Sequence, residues 1–319
     1  MKKLLLLLSL LIPATGYGAG ATVKTITQSY QNYLINGGFD LWQRGSANAN
    51  VDSGGYLADR WFATAGTYDQ ISANLPTGVK YGAQLAFSSS SGWLCQRIEA
   101  GNTLQFSGQK MTISGYERSS TGTGAFKIKI DRPNTVDDYG SGARGKLGTT
   151  TTSELAATTL LATTSSTLAP WNYTFTVSAN MASYGFQVCL GTDTSTTTTY
   201  QYSAVTLAEG PKAAPFRRIG TVAQELSLAF RYYEAGSGSN HAYDFNGSTR
   251  TPWFSFHTRK RQGVGLLTVT CSWNWFNVGG GGGAGSCGPS DLSDYGISLG
   301  TSGTGYVLGY GSWIANAEL

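Results

Sequence analysis

Three features of the sequence predict an all-β chain: an excess of turn-forming and aromatic residues, short apolar or alternating runs at regular spacing, and a single stretch of helical periodicity. Glycine accounts for 43 of 319 residues, tyrosine for 18 and tryptophan for 8, against 3 methionines. Aromatic and β-branched side chains suit a pleated, half-buried surface, and glycine suits the tight turns between strands. The same usage makes an ordinary α/β enzyme unlikely, and hydrophobic residues at 40% with charged residues at 13% argue against a disordered chain and against a strongly ionic surface. No Gly-X-Y period is present, so collagen is excluded. The predicted architecture is a jelly-roll-like β-sandwich over residues 32–216, a short linking helix within 217–241 and a smaller C-terminal β domain over 242–319.

Taken in order, the chain opens with Lys2 and Lys3, an apolar run over residues 4–12 broken only by Ser9, then Pro13 and the small residues Ala19-Gly20-Ala21. Charged, apolar and small regions in that order give residues 1–21 the form of a secretory signal peptide; the rival reading is a retained apolar arm that anchors in a partner. The run is shorter than the roughly 20 residues that span a bilayer, and no later segment is longer, so no transmembrane span is expected. Residues 22–31 are polar and read as a linker. The stretch Tyr33-Leu34-Ile35-Asn36-Gly37-Gly38-Phe39-Asp40-Leu41-Trp42 reads as strand, turn and strand. Gly37 and Gly38 make its turn, Phe39 and Trp42 enter the core, and Arg44, Asp59 and Arg60, beside Trp61, form a partly buried ionic network.

Short strands then recur at 83–87, 110–118, 125–131, 171–177, 184–190 and 200–207. Phe126-Lys127-Ile128-Lys129-Ile130 alternates cleanly, so one of its faces is wet. Threonine runs at 149–152 and 196–199 read as loops. Cys95 and Cys189 fall in predicted strands, while Cys271 and Cys287 bracket a strand and a glycine loop. Four cysteines allow three pairings. Cys271–Cys287 is the favoured one, as a loop clamp, and four buried reduced thiols are the alternative. The helix lies over 221–234, where Thr221 can cap it and Val222, Leu226, Ala229, Phe230 and Tyr233 recur near helical spacing. Strands resume at 253–257 and 266–276, followed by five glycines at 279–283. The C-terminal part, about 78 residues long, is near the size at which a core needs help. Its apolar strands predict a homo-oligomer, with Trp273, Trp275, Trp313 and Ile314 near the interface or the core beside it.

A net charge of +4, with basic clusters only at Arg217-Arg218 and Arg259-Lys260-Arg261, does not suit nucleic acid. Two histidines and no closely spaced cysteine pair leave zinc without ligands. His241 and His257 belong to no nucleophile motif, no Gly-x-Ser-x-Gly elbow stands in a strand–turn–helix context, and no carboxylate pair can be placed across a glycosidic bond, so no enzyme is predicted. The glycine run lacks the Lys-Ser/Thr ending of a phosphate cradle. No cofactor is expected; the one metal option is a structural calcium near Asn36, Asp40 and Asp52. Aromatic rings offer the strongest binding chemistry, because sugar rings stack their C–H faces on them. The candidates are Tyr116, Tyr139 and Trp171 on the sandwich and Tyr243, Trp253, Tyr306 and Tyr310 in the C-terminal part. For each of these the competing role is core filling. Trp273 and Trp275 share one strand face by the period of two.

The motif Leu34-Ile35-Asn36-Gly37-Gly38-Phe39-Asp40-Leu41-Trp42-Gln43-Arg44-Gly45, with Ala58-Asp59-Arg60-Trp61-Phe62, Cys95-Gln96-Arg97-Ile98-Glu99, Ala208-Glu209-Gly210 through Arg218, Phe230-Arg231-Tyr232-Tyr233-Glu234 and the terminal Ala315-Asn316-Ala317-Glu318-Leu319, resembles tail-fibre, receptor-binding and other virion proteins of tailed bacteriophages. These carry a sandwich like that of carbohydrate-binding modules. The resemblance implies a non-enzymatic virion component in a tail or surface appendage that attaches to host surface glycans and assembles with other virion proteins, and it favours three chains over two in the homo-oligomer. It marks the motif as a fold signature rather than a substrate site, and such modules often carry a structural calcium. Two alternatives stand beside it: a purely structural head or tail decoration, and a secreted bacterial adhesin or glycosidase accessory protein exported by the leader.

Overall fold

The computed structural model describes residues 31–45, 49–50, 55–56, 58–119, 125–138, 151–161, 168–244, 253–255, 268–277, 282–286, 289–293, 296–299 and 305–316. The segment 1–21, nearly all of the linker 22–31, Asp52, Tyr139 and Cys287 lie outside these residues. The chain runs through β1 (Ala49–Asn50), β2 (Gly55–Tyr56), β3 (Trp61–Ala63), β4 (Thr67–Ile71), β5 (Gly82–Ala86), β6 (Ser90–Ile98), the single turn α1 (Ala100–Thr103) with a 3-10 turn (Leu104–Phe106), β7 (Lys110–Ser119), β8 (Phe126–Pro133), β9 (Thr151–Leu161), β10 (Ala169–Thr176), α2 (Ala179–Tyr184), β11 (Phe186–Thr196) and β12 (Thr199–Glu209). Sheet A has the order β1-β4-β5-β12-β7-β10 and sheet B the order β2-β3-β6-β11-β8-β9. The paired strands are antiparallel, and the two sheets face each other across one core.

The alternation read in β8 shows how the layers form. Phe126, Ile128 and Ile130 are buried, and Lys127 and Lys129 between them are not. Phe126 reaches across to sheet A, where its ring lies 5.3 Å from Trp171, 6.4 Å from Tyr200 and 5.8 Å from Tyr202. Trp61, Leu94, Val188 and Leu190 from sheet B and Tyr68, Leu85, Ile113 and Leu207 from sheet A complete the interior. A core of this kind is what a domain of such length can bury unaided.

The stretch around Gly37 is a turn without flanking strands, a correction to the strand–turn–strand expected there. Its backbone pairs with the end of β12 instead: Tyr33 donates to the Leu207 carbonyl and Val205 donates to that of Gly37. The left-handed positions are Asn36 and Phe39. Gly37 is needed for close approach rather than for its dihedrals, since a Cβ there would stand 2.1 Å from the Val205 carbonyl oxygen. Phe39 is fully buried, and the partly buried Trp42 donates its indole N–H to the Phe39 carbonyl. Arg44 pairs with Asp59 at 3.5 Å, and Arg60 donates to the Arg97 carbonyl while lying 3.6 Å from the Tyr232 ring centroid.

Two further expectations need correction. The threonines at 196–199 do not form a loop: β11 ends on Thr196 and β12 begins on Thr199, with only a tight turn between them. Cys95 and Cys189 are not reduced thiols but a disulfide between directly opposed residues of β6 and β11. Cys271 stands in a C-terminal strand, and its favoured partner Cys287 is outside the described residues.

Beyond the sandwich, Thr221 caps α3 (Val222–Phe230) in a reciprocal capping box with Gln224. Then follow β13 (Tyr233–Asp244), β14 (Trp253–Ser255), β15 (Thr268–Asn277), β16 (Gly282–Ser286), β17 (Pro289–Ser293), β18 (Gly296–Leu299) and β19 (Gly305–Asn316). They make a four-stranded sheet, β13-β19-β15-β16, and a three-stranded one, β14-β18-β17. Among the described residues no helix is long and apolar enough to cross a membrane.

Candidate functional site: the outer face of sheet A

On the outer face of sheet A the strand register sets four polar side chains in one row across four strands. Asp69 of β4 stands opposite Gln84 of β5, Gln84 opposite Gln201 of β12, and Gln201 opposite Arg118 of β7. The Gln201 amide donates to Gln84 Oε1 at 2.6 Å, and Arg118 Nε donates to Gln201 Oε1. Neighbouring strands lie about 4.8 Å apart, so the row spans roughly 14 Å. Tyr116, two residues before Arg118, shares its face and is half-buried; its cross-strand neighbours are Ser203 and Pro170. The result is a strip of pre-oriented amides with a guanidinium at one end and an aromatic ring beside it. Amides and a guanidinium present the donors and acceptors that hydroxyl groups need, and the phenol ring presents a flat apolar surface.

Directly under this strip lies an acid. Glu117 points into the core between the outward-facing Tyr116 and Arg118, opposite Tyr202, and is fully buried. Burial pushes its carboxyl up to about 8, and burial likewise raises the phenols of Tyr68, Tyr200 and Tyr202. Neither carboxyl oxygen has a hydrogen-bond partner, nor do the Tyr202 hydroxyl and the Trp171 indole N–H. At neutral pH Glu117 is therefore a neutral acid inside the sandwich, and it supplies no charge to the outer face.

The sugar-stacking candidates fare differently. Trp171 is 4% exposed and packs inward against Phe126, so it is a core residue and not a ligand platform. Its indole occupies the space left by Gly115, where a Cβ would come within 3.0 Å of the ring. Tyr116 is on the outer face. Tyr139 lies outside the described residues. Tyr243 and Tyr306 are directly opposed in β13 and β19, Tyr310 stands opposite Ser239 and Asn274, and Trp253 of β14 stands opposite Ser298. Trp313 is buried at the end of β19, and Ile314 next to it is exposed.

At the position considered for a calcium, Asn36 is held by the backbone, its amide donating to the Leu41 and Asp59 carbonyls and its oxygen accepting from the Leu41 N–H. Asp40 meets Arg218 through two hydrogen bonds, at 2.7 and 3.1 Å, which raise the arginine's pKa. Among the described residues no three His, Cys, Asp or Glu side chains are grouped as metal ligands. The sequence reading missed Asp69, Gln84, Gln201, Arg118 and Glu117, because the row exists only in the pairing of four strands.

A concavity of about 550 Å³ opens at one end of the sandwich, between the entering chain, the α1 turn and α3. Ile35, Ile98, Leu104 and Leu228 form its apolar walls, and Asn102 and Gln105 its polar rim. No carboxylate, histidine or thiol lines it, so it offers no acid–base pair.

No family model matches the chain, and no curated protein matches it. Solved structures do resemble it. The CBM22-1 xylan-binding domain of Paenibacillus barcinonensis Xyn10C is 14% identical and aligns over 53% of this chain and 99% of its own, with a TM-score of 0.35. A family 16 carbohydrate-binding module aligns over 44% and 85% at 10% identity, with a TM-score of 0.30. The enzymatically active domain of tailspike protein 4 from bacteriophage CBA120 aligns over 56% of this chain and 21% of its own at 9% identity, with a TM-score of 0.30. At such scores the likeness carries no argument about ligand or origin, and the sandwich rests on the two sheets described above.

Proposed function

We propose that this chain is a non-enzymatic attachment protein that holds surface glycans on the outer face of sheet A. The observation that carries this reading is the row Asp69–Gln84–Gln201–Arg118 with Tyr116 beside it. The Gln201 amide is fixed at both ends, by Gln84 and by Arg118, so little side-chain entropy remains to be lost on binding. A sugar chain laid across the strands would pair its hydroxyls with the row and rest a ring face on Tyr116. Such single sites are weak, and a trimer presenting three of them would gain by avidity. The motif from Asn36 to Gly45 and its resemblance to phage fibre and receptor-binding proteins support a place on a virion. The Cys95–Cys189 disulfide favours a second setting, a secreted adhesin, because such bonds persist in oxidising compartments.

The test is affinity electrophoresis of the full chain against a panel of host-surface and plant polysaccharides. At least one should retard the wild type, and Tyr116→Ala should weaken that interaction about tenfold, equivalent to one stacked ring. Retardation unchanged by Tyr116→Ala, or none by any polysaccharide, would overturn the assignment. Immunogold labelling of particles against culture medium separates the virion setting from the secreted one.

A further inference from the structure

We infer that the glycan held on this face is acidic, and that Arg118 reads its carboxylate. The inference rests on the glycan-binding reading and deepens it. Four other arginines of the described chain already have acids: Arg44 meets Asp59, Arg132 meets Glu154, Arg218 meets Asp40 and Arg231 meets Glu99. Sheet B shows how such a row closes. There Arg97 of β6 donates to the Gln187 amide of β11, which donates to Asp131 of β8, so the amide joins a base to an acid one strand further on.

Arg118 differs in what stands behind the amide. Among the described residues its side chain bonds to Gln201, and Gln201 leads to a second amide, Gln84, before Asp69 is reached. Roughly 14 Å of sheet separates the two charges, beyond a physiological Debye length of about 8 Å. Glu117, next in sequence, faces the opposite side of the sheet and is neutral. The guanidinium is partly sheltered, and with Nε spoken for, its terminal amines keep the donors that match a planar carboxylate. Tyr116 lies about 7 Å along the same strand face, a distance suited to one ring stacking while the carboxylate of that sugar or its neighbour reaches Arg118.

The experiment compares matched polymers on the full chain: polygalacturonate and hyaluronan, each with its carboxyl-reduced form, and dextran sulfate. The wild type should prefer at least one carboxylated polymer to its reduced form by tenfold or more. Arg118→Gln should bring that ratio to within about twofold, and Arg118→Lys should leave it between the two. Equal affinity for both forms, or a ratio that survives Arg118→Gln in a variant with unchanged melting temperature, would overturn the inference. Tighter binding of dextran sulfate that is lost in Arg118→Gln would also overturn it, in favour of a sulfate ligand. Failure of every polymer, reduced or acidic, would instead strike the glycan-binding reading.

Discussion

The two outer faces of the sandwich use one device to opposite ends. Each carries a row in which an arginine donates to a glutamine across the strands. On sheet B the row is sealed: Arg97 is 2%, Gln187 0% and Asp131 6% exposed, Lys129 adds a second cation to Asp131 at 3.1 Å, and the Cys95–Cys189 disulfide ties the same two strands. Trp93 is buried there with Phe62 and both cysteines, beneath Lys129. On sheet A the row is one amide longer, Asp69, Gln84 and Arg118 are half-exposed, and no disulfide crosses it. Charge closed in protein holds a fold together, whereas charge left half-open on preset amides is available to a ligand. The difference between the structural row and the proposed binding row lies in one extra glutamine and in burial, and not in residue type.

The comparison breaks first at Glu117, the acid beneath the open face. Its folded pKa of about 8 stands above the ordinary 4.5, so the contribution of the neutral acid is intact below about pH 4.5. It is lost progressively as pH rises, and the loss is complete near pH 8, up to about 5 kcal/mol by the conversion of 1.36 kcal/mol per unit. Glu117→Gln should match the wild type at pH 4 and outlast it in denaturant titrations at pH 9; parallel curves at both pH values would remove the buried neutral acid from the account. Next, replacing Cys95 and Cys189 together by serine should cost about 2–4 kcal/mol, because the bond closes a loop of 94 residues. Calorimetry should show that loss while glycan affinity on sheet A stays within twofold.

The paired glutamines sharpen the contrast. Gln187→Ala should destabilise by about 2–3 kcal/mol, since Arg97 and Asp131 would lose their link without water to replace it, and Gln201→Ala by about 1 kcal/mol, since Gln201 is 7% exposed but water reaches its half-exposed partners Gln84 and Arg118. Equal costs would mean that the two rows do not differ in kind. The smallest effect belongs to Tyr116→Ala, under about 0.5 kcal/mol in stability, despite its tenfold effect on binding.

How much of this was legible in the sequence follows from the range of each interaction. The two-residue period around Ile128 is local, and it placed Phe126 in the core and the lysines outside. The Thr221 cap and the apolar spacing after it are equally local, and α3 begins where they put it. For Trp171 the core-filling role is the one realised, and local sequence did not decide it because the deciding neighbour, Gly115, is on another strand. The disulfide escaped because Cys95 and Cys189 look like separate strand residues until register opposes them. The same holds for the polar row of sheet A, whose four members come from β4, β5, β12 and β7 and share no motif. Pairing of distant strands is set by the whole core, and nothing near Gln84 or Gln201 announces it.

The central claim is that sheet A's outer face is the ligand face and sheet B's is structural. Hydroxyl-radical footprinting of the full chain, with and without a saturating polysaccharide chosen from the affinity panel, tests it most directly. Tyr116 should lose most of its oxidation on binding, while Tyr56 on sheet B and Leu104 at the end pocket should oxidise at unchanged rates. Protection of Tyr56 or Leu104 with Tyr116 unaffected would place the ligand elsewhere and contradict the account.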